Sequence, residues 1–248
     1  MADLRLLEIY RYPVKSMLGE RLGVAGVDRR GLVGDRLWAV RDDDGKLASG
    51  KHSRRFRRMD AVFTWSASLT EDGDGADPSG GSTAVVAGPD GRAHRCDDPA
   101  LRDALSASFG RPVRLVREGE TRRDGHVLSH FDAAPVSIVG TATLAAAAGL
   151  VGASEPLDPR RFRANFVVET DEPWLEEDWV GHRVDIGEVS LVVTERIPRC
   201  RMVDIRQGDV PERPGVLKTL TATRGMCLAV YAEPLAEGTV RVGDPVHP

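Results

Sequence analysis

The sequence predicts a mainly β, α+β protein with two linked β-barrel-like domains and a few short helices. Short apolar runs of strand length recur in both halves of the chain, while only two segments carry helix start and stop signals. Helices do not alternate with strands, as they would in a parallel α/β sheet. With 248 residues the chain can bury two small cores, and the polar segment after Arg117 predicts domains at 1–118 and 119–248.

In the first domain, apolar runs predict a series of strands, and capping residues predict one helix. The predicted strands are 4–12, 21–27, 36–41, 61–66, 84–87 and 112–117. An Asp-Gly pair after the third strand predicts a turn, because this pair tolerates positive φ. Asp98 predicts the start of a helix that ends at Gly110. Residues 70–83 are rich in Gly, Asp and Ser, which predicts a mobile surface loop.

The second domain begins near residue 127 and is predicted to contain one helix and further strands. The Ala- and Leu-rich run 141–148 predicts the helix, and Gly149 predicts its end. The predicted strands are 165–169, 184–186, 188–195, 227–233 and 239–242.

The bulk properties of the chain exclude some partners and locations. Its formal net charge is -4 at pH 7, so the chain as a whole attracts neither nucleic acid nor an anionic membrane. No apolar run reaches the ~18 residues that span a bilayer, and the N-terminus lacks a signal-peptide pattern. The three cysteines are too few and too far apart for an iron–sulfur cluster or a disulfide framework, which predicts a cytoplasmic protein.

Several common catalytic signatures are missing from the sequence. It contains no nucleophile elbow, no Walker A loop and no dinucleotide-binding glycine pattern. The six histidines lack metal-ligand spacing and are expected to lie at the surface.

The most unusual local pattern is the run PRCR, in which Cys200 lies between Arg199 and Arg201. Two neighbouring guanidinium groups favour the thiolate form of a cysteine. A thiolate is both a nucleophile and a soft metal ligand. The same tripeptide also fits a buried structural cysteine beside two surface arginines.

Two other segments carry side chains that are suited to a phosphate or a heterocycle. Arg163 and Asn165 close the run RRFRAN before an apolar strand, where a guanidinium suits phosphate and an amide suits a heterocycle. Lys15 and Ser16 follow a proline turn, and Arg36 lies further along in the segment GDR. A solvated basic turn is the alternative interpretation of each segment.

A dense basic run occupies residues 51–58, where five of eight residues are Lys or Arg. Its single aromatic residue, Phe56, gives little support for base stacking on a nucleic acid. The run therefore predicts a local electropositive rim.

Taken together and in order, these motifs resemble the MOSC family with its N-terminal β-barrel domain. YPVKS is similar to the family's Y-P-[IV]-K-S motif, and GLVGDRLWAV is similar to its G-x-x-x-D-R-x-[FW] strand. DAAPVSIVGTATL resembles the D-x-x-P segment with the helix after it, and RFRANFVVE resembles R-F-R-x-N. PWLEEDWVGHRVDIG resembles the E-x-x-W segment, and RIPRCRMVDI resembles the cysteine motif. Ala164 stands where the family usually has proline, which changes the stiffness of the turn but not the ligand set.

The resemblance implies a molybdenum cofactor in which a pterin dithiolene holds the metal. It implies that Cys200 is the catalytic residue and supplies the protein's sulfur ligand to the metal. The residues that it places against the cofactor are Lys15, Ser16, Arg36, Asp132, Arg163 and Asn165. Relatives such as the mitochondrial amidoxime-reducing components lead us to expect an oxidoreductase that removes oxygen from small N-hydroxylated compounds.

Two alternative functions remain open, and the expected activity requires one partner protein. Cys200 would carry a persulfide in a sulfur-transfer protein, or the chain would be a non-catalytic carrier of the cofactor. Sulfurase relatives usually fuse this domain to a desulfurase that binds pyridoxal phosphate, and the sequence contains no such domain. Because three cysteines cannot form an iron–sulfur entry point, electrons are expected from a separate donor protein of the ferredoxin or flavoprotein type.

Overall fold

The computed structural model describes residues 4–70, 83–119 and 129–248, and strands dominate them. This confirms the predicted mainly β, α+β class. The strands are β1 (Leu6–Arg11), β2 (Glu20–Leu22), β3 (Val24–Asp28), β4 (Gly31–Leu32), β5 (Trp38–Asp42), β6 (Leu47–Ser49), β7 (Phe56–Arg58), β8 (Ser66–Thr70), β9 (Thr83–Ala87), β10 (Ala93–Arg95), β11 (Val113–Arg117), β12 (Val136–Gly140), β13 (Phe166–Val168), β14 (Arg183–Ile186), β15 (Val189–Pro198), β16 (Cys227–Ala236), β17 (Gly238–Arg241) and β18 (Val246–His247).

The α-helices of the described residues are α1 (Pro99–Phe109), α2 (Thr141–Leu150) and α3 (Val216–Arg224). In the described part of the chain, no helix has the length and apolar character that a membrane crossing requires.

Two compact units share the chain, and each is built from more than one segment. The first unit contains the described residues of Met1–Tyr10, Arg21–Val33 and Asp132–Pro248. The second unit contains the described residues of Arg11–Glu20 and Gly34–Phe131. The predicted domains 1–118 and 119–248 are consecutive along the chain, whereas these units interleave, and the predicted division stays a prediction.

An eight-stranded sheet forms the centre of the first unit, in the order β18-β14-β15-β16-β12-β13-β1-β2. Strands β12 and β13 are parallel, whereas β15 and β16 form a long antiparallel pair of ten residues each. Side chains such as Ile138, Phe166 and Val193 are fully buried in one apolar core. The candidate residues next to β13 and β15 are therefore attached to a well-packed sheet.

The second unit is organised around β5, in which every residue is buried. Strand β5 pairs with β11 and β6, and β6 continues to β7, while β8, β9 and β10 form a separate sheet. Helix α1 begins where the Asp98 carboxylate accepts a hydrogen bond from the Ala100 amide at 2.8 Å. It ends at Gly110, whose φ of 64° is the left-handed conformation that favours glycine, so both capping predictions are confirmed.

One strand of the first half was predicted in the wrong place. Most of the strand predicted at 61–66 belongs instead to a 3-10 helix at Asp60–Thr64, and the strand β8 begins only at Ser66. Val62 and Phe63 are both buried although they are adjacent, and a helical turn allows this more readily than a strand with one exposed face. Strand β8 pairs antiparallel with β9, which corresponds to the predicted strand 84–87.

Other differences concern element limits and elements that the sequence analysis omitted. The predicted strand 21–27 is interrupted at Gly23, which separates β2 from β3. Helix α2 continues past Gly149 to Leu150. The elements that were not predicted are helix α3 and strands β4, β6, β7, β10, β12 and β18. Most of the predicted loop 70–83, as well as the segment 120–128 at the predicted boundary, lies outside the described residues.

Candidate functional site

Cys200 lies two residues after the end of β15, where the chain leaves the sheet of the first unit. Its backbone is extended, with φ -126° and ψ -179°, and its thiol is half-buried. Cys200 is the residue before a short 3-10 helix at Arg201–Val203, and its carbonyl accepts a hydrogen bond from the Val203 amide at 3.2 Å. The thiol therefore sits at a sharp change of backbone direction rather than inside a strand.

The guanidinium group of Arg199 ties this turn to two other elements. Its Nε donates to the Leu228 carbonyl at 2.7 Å, and its Nη1 donates to the Phe162 carbonyl at 2.9 Å. The guanidinium carbon also lies 5.5 Å from the centre of the Phe162 ring. The donors of Arg199 are thus directed at backbone oxygens, which fixes the residue next to Cys200.

Burial lowers the pKa of Arg199 to about 10, because the charged guanidinium loses water. Tyr231, both sulfur atoms of Cys200 and Cys227, and the Asp132 carboxylate oppose this effect by favouring the positive charge. Asp132, a predicted cofactor residue, is therefore within electrostatic reach of the same guanidinium as Cys200. Cys227, opposite Pro198 in the β15–β16 pair, is a second thiol in this environment.

A buried arginine and a buried glutamine hold the turn that follows Cys200. Arg161, only 3% exposed, donates to the Val203 carbonyl at 2.9 Å and to the Pro211 carbonyl at 2.7 Å. Gln207 donates to the Met202 carbonyl at 3.0 Å and to the Arg161 carbonyl at 3.1 Å. Burial, and the nearby Arg213, lower the pKa of Arg161. The sequence pointed to this arginine only as part of a basic run, and nothing in it pointed to Gln207.

A cavity of about 530 Å³ in the first unit has Arg161 and Arg213 in its wall, together with residues 152–158. Cys200 is not among the described residues that line it. The thiol and this cavity are therefore separate features of the unit.

Along the sequence, Arg163 and Asn165 lie between Arg161 and β13. Arg163 has a positive φ of 55° and is half-buried. Asn165 is fully buried, and its Oδ1 accepts hydrogen bonds from the Ser137 amide at 3.1 Å and the Ser137 hydroxyl at 3.0 Å. Its Nδ2 donates to the Tyr10 carbonyl at 3.1 Å. The Asn165 amide thus connects β12 to β1, in addition to any role toward a ligand.

In the second unit, Lys15 and Arg36 meet at a histidine. The Lys15 ammonium donates to the His130 carbonyl at 2.7 Å, and the His130 Nδ1 donates to the Arg36 carbonyl at 3.2 Å. The prediction that the histidines lie at the surface is wrong for His130, which is 1% exposed. The bonds that bury it connect residues 94 and 115 positions apart in the sequence, so no local signal points to them.

Ser16 and Arg36 each contact other residues of the same unit. The Ser16 hydroxyl donates to the Ala48 carbonyl at 3.2 Å. Arg36 forms an ion pair with the fully buried Asp35, and its guanidinium carbon lies 5.2 Å from the centre of the Tyr12 ring. Asp35 also accepts a hydrogen bond from the Tyr12 amide at 2.7 Å, which fixes the start of the YPVKS segment against the GDR segment.

Positive φ values are concentrated at the predicted site residues. The described non-glycine residues with positive φ are Ser16, Arg36, Arg163, Trp174, Met226 and Ala229. Half of them are predicted cofactor residues, and Met226 accepts the backbone hydrogen bond of Arg199 at 2.9 Å. Such conformations are unfavourable for side chains other than glycine and cluster at functional sites, which makes these segments candidates for ligand binding.

Both halves of the chain match models of known domains. Residues 101–247 match the MOSC domain, and residues 3–79 match the MOSC N-terminal beta barrel domain. The chain belongs to the MOSC family. This confirms the resemblance of the six motifs.

Similar proteins include two curated relatives and one solved structure. The molybdenum cofactor sulfurases of Drosophila grimshawi and Danio rerio are each 25% identical to the MOSC chain, over 98% and 88% of its length. The chain covers 34% and 30% of those relatives, or about a third of each. The YUAD protein from Bacillus subtilis is similar in structure, with a TM-score of 0.53 and 14% identity over 98% of this chain and 94% of that one. The last comparison concerns the fold alone.

Proposed function

We propose that this MOSC protein binds a molybdenum cofactor and that Cys200 is the protein's ligand to the metal. The observation that carries the proposal is the strained backbone at Ser16, Arg36 and Arg163, three of the residues expected to contact the cofactor. The MOSC family and the similarity to molybdenum cofactor sulfurases support the choice of cofactor.

The predicted site residues have the chemistry that the parts of this cofactor require. Cys200 offers a half-buried sulfur to a soft metal, and Arg163, Asn165 and Asp132 would contact the pterin. Lys15, Ser16 and Arg36 would contact the pterin and its phosphate, because cationic groups and hydroxyls suit a dianion. Arg199 would position Cys200, since its donors are bound to backbone carbonyls.

The activity that we propose is the reduction of small N-hydroxylated or N-oxygenated compounds. When bound, the cofactor supplies a metal that accepts an oxygen atom in a two-electron exchange. The net reaction would consume two electrons and two protons, break the N–O bond of the substrate and release its oxygen as water. A separate electron-donor protein of the ferredoxin or flavoprotein type, expected in the cytoplasm, would deliver the electrons.

The metal content of purified variants tests the proposal. The wild-type protein, expressed with an adequate supply of cofactor, should contain close to one molybdenum per chain by elemental analysis. Cys200→Ala should lose most of that metal. Cys227→Ala is the matched control, because it removes a second half-buried thiol near Arg199 and should retain the metal. Full molybdenum content in Cys200→Ala would refute the ligand assignment.

Sulfur transfer is the second candidate function, because the curated relatives are named molybdenum cofactor sulfurases. In this case Cys200 would carry a persulfide received from a protein persulfide donor and pass the outer sulfur to an acceptor. Mass spectrometry that finds a labile extra sulfur on Cys200 in metal-free protein would favour transfer. Reduction of N-hydroxylated compounds by the molybdenum-loaded protein with a chemical electron donor would favour the oxidoreductase.

A further inference from the structure

Three cationic groups of the second unit surround one aromatic ring. The Nζ atoms of Lys15 and Lys51 lie 5.2 and 4.9 Å from the centre of the Phe56 ring, and the guanidinium carbon of Arg55 lies 5.1 Å from it. Any two of the three cations are therefore at most about 10 Å apart. We call these four residues the Phe56 cation cluster.

The basic run 51–58, which supplies every member of this cluster except Lys15, divides into two groups. Arg57 forms ion pairs with Asp42 and Asp44, and Arg58 forms one with Asp60. By contrast, no carboxylate of the described residues lies within ion-pair distance of Lys51 or Arg55. Arg55 donates to the Ser129 carbonyl through Nη2, while its buried Nε has no hydrogen-bond partner within the described structure. Among the described residues, two of the cluster's three cations thus have no carboxylate as an ion-pair partner.

The Phe56 ring does not neutralise the positive charge of the cluster. Cation–π contacts attract each cation weakly but leave the net charge of the group unchanged. Like charges at this spacing repel one another, and partial burial weakens the screening by water. Lys15 is 6% exposed. A bound anion would relieve the repulsion and could satisfy the Arg55 Nε.

The chemistry of the cluster favours a phosphate monoester over other anions. A phosphate monoester carries about -1.5 to -2 charge at pH 7, which matches several cations better than a single carboxylate does. Phe56 is only 6% exposed, so its ring offers no open face on which a nucleic-acid base could stack. The cluster is therefore suited to a compact dianion rather than to a polynucleotide.

We infer that Lys51 and Arg55 complete, with Lys15 beside Phe56, a phosphate-binding site in the second unit. The identity of the natural ligand as the cofactor's phosphate rests on the proposed function, whereas phosphate binding itself does not. No motif of the family resemblance contains Lys51 or Arg55, and the sequence pointed only to a general basic rim.

Titration with inorganic phosphate at constant ionic strength tests this site without any cofactor. Isothermal titration calorimetry on the full chain should give binding that is stronger at pH 8 than at pH 5.5, since phosphate is then a dianion. Lys51→Gln and Arg55→Gln should each weaken binding about tenfold at pH 8. Arg54→Gln is the matched control, because Arg54 is an exposed arginine of the same run outside the cluster, and it should bind as the wild type does.

Thermal unfolding of each variant checks that the fold is retained. Phe56→Leu is an independent variant that removes the ring but not the charges. The phosphate affinity of Phe56→Leu should stay within about threefold of wild type, because the charges carry the binding. Wild-type protein without phosphate binding, or Lys51→Gln and Arg55→Gln with unchanged affinity, would overturn the inference. If the phosphate results hold but the protein never acquires molybdenum, the proposed function fails and the phosphate site remains.

Discussion

The arginines around Cys200 in the first unit and the cations around Phe56 in the second unit have different partners. Arg199 and Arg161 direct their guanidinium donors at backbone carbonyls of four residues, at 2.5 to 2.9 Å. Lys51 and Arg55 contact an aromatic ring and have no carboxylate partner in the residues described. A guanidinium that donates to two separate carbonyls, as Arg199 and Arg161 do, fixes the backbone. A cation with no carboxylate partner among the described residues, such as Lys51 or Arg55, can bind an anion.

The difference separates positioning residues from binding residues although all are basic. In the sequence, both groups are dense runs of Arg and Lys, and charge alone does not distinguish them. The comparison predicts that substitutions around Cys200 act mainly on stability and on the geometry of the thiol. Substitutions around Phe56 should act mainly on ligand affinity.

The largest effect on stability is expected for Arg199→Leu. The substitution leaves the Leu228 and Phe162 carbonyls without the donors that they now accept, and each unsatisfied buried carbonyl costs about 1–3 kcal/mol. We expect the free energy of unfolding, measured with urea, to fall by about 3 kcal/mol. Arg241→Leu is the control, because this side chain is 56% exposed and its ion pair with Glu188 is long, so the loss should stay below about 0.5 kcal/mol. Equal losses in the two variants would contradict the positioning role.

A smaller loss is expected for Asn165→Ala in the cofactor-free protein. The substitution removes the acceptor for the Ser137 amide and the donor for the Tyr10 carbonyl. The free energy of unfolding should fall by about 2 kcal/mol, as measured by urea denaturation. Asn165→Asp keeps the acceptor but places a carboxylate against a carbonyl, and it should be at least as destabilising. Unchanged stability in Asn165→Ala would assign this residue to ligand binding alone.

The smallest effect is a pH dependence that arises at Glu176 in the first unit. This carboxyl group is fully buried, accepts a hydrogen bond from Thr143 at 2.8 Å, and has its pKa raised by burial. Because the pKa is higher in the folded state, the neutral carboxyl group stabilises the fold. This stabilisation is complete below about pH 4, near the pKa of a glutamate in the unfolded chain, and is lost as the pH rises through the folded-state pKa.

The variant Glu176→Gln removes this titration. It should unfold like the wild type near pH 4 and be the more stable protein at pH 8, as measured by urea denaturation at both pH values. Glu177→Gln is the control of opposite sign, because it breaks ion pairs with Arg196 and Arg224 at 2.8 and 2.7 Å and should not stabilise the protein at pH 8. A Glu176→Gln variant that is less stable than wild type at pH 8 would show that the carboxylate itself is needed.

Local signals in the sequence predicted the elements whose causes are local. Asp98 and Gly110 limit α1 through their own backbone and side chain, and the long apolar runs of β15 and β16 reveal their strands. Helix α3 was missed because its threonines are weak helix formers, and it is stabilised instead by burial of Val216 and Leu220. Tertiary packing of this kind is not visible in a single sequence.

The residues of the candidate site also differ in whether a local sequence signal reveals them. The motif around Cys200 is local and was found from the sequence. The roles of Arg161, Gln207 and His130 depend on hydrogen bonds to carbonyls far along the chain, such as that from Arg161 to Val203, and no local pattern encodes them.

X-ray absorption at the molybdenum edge most directly tests whether Cys200 binds the metal. We compare wild-type protein with Cys200→Ser, which keeps an atom able to bind the metal but replaces sulfur with oxygen, and with Cys227→Ser as the control. Our account predicts one sulfur neighbour fewer in Cys200→Ser and an unchanged spectrum in Cys227→Ser. The same number of sulfur neighbours in Cys200→Ser as in the wild type would contradict it.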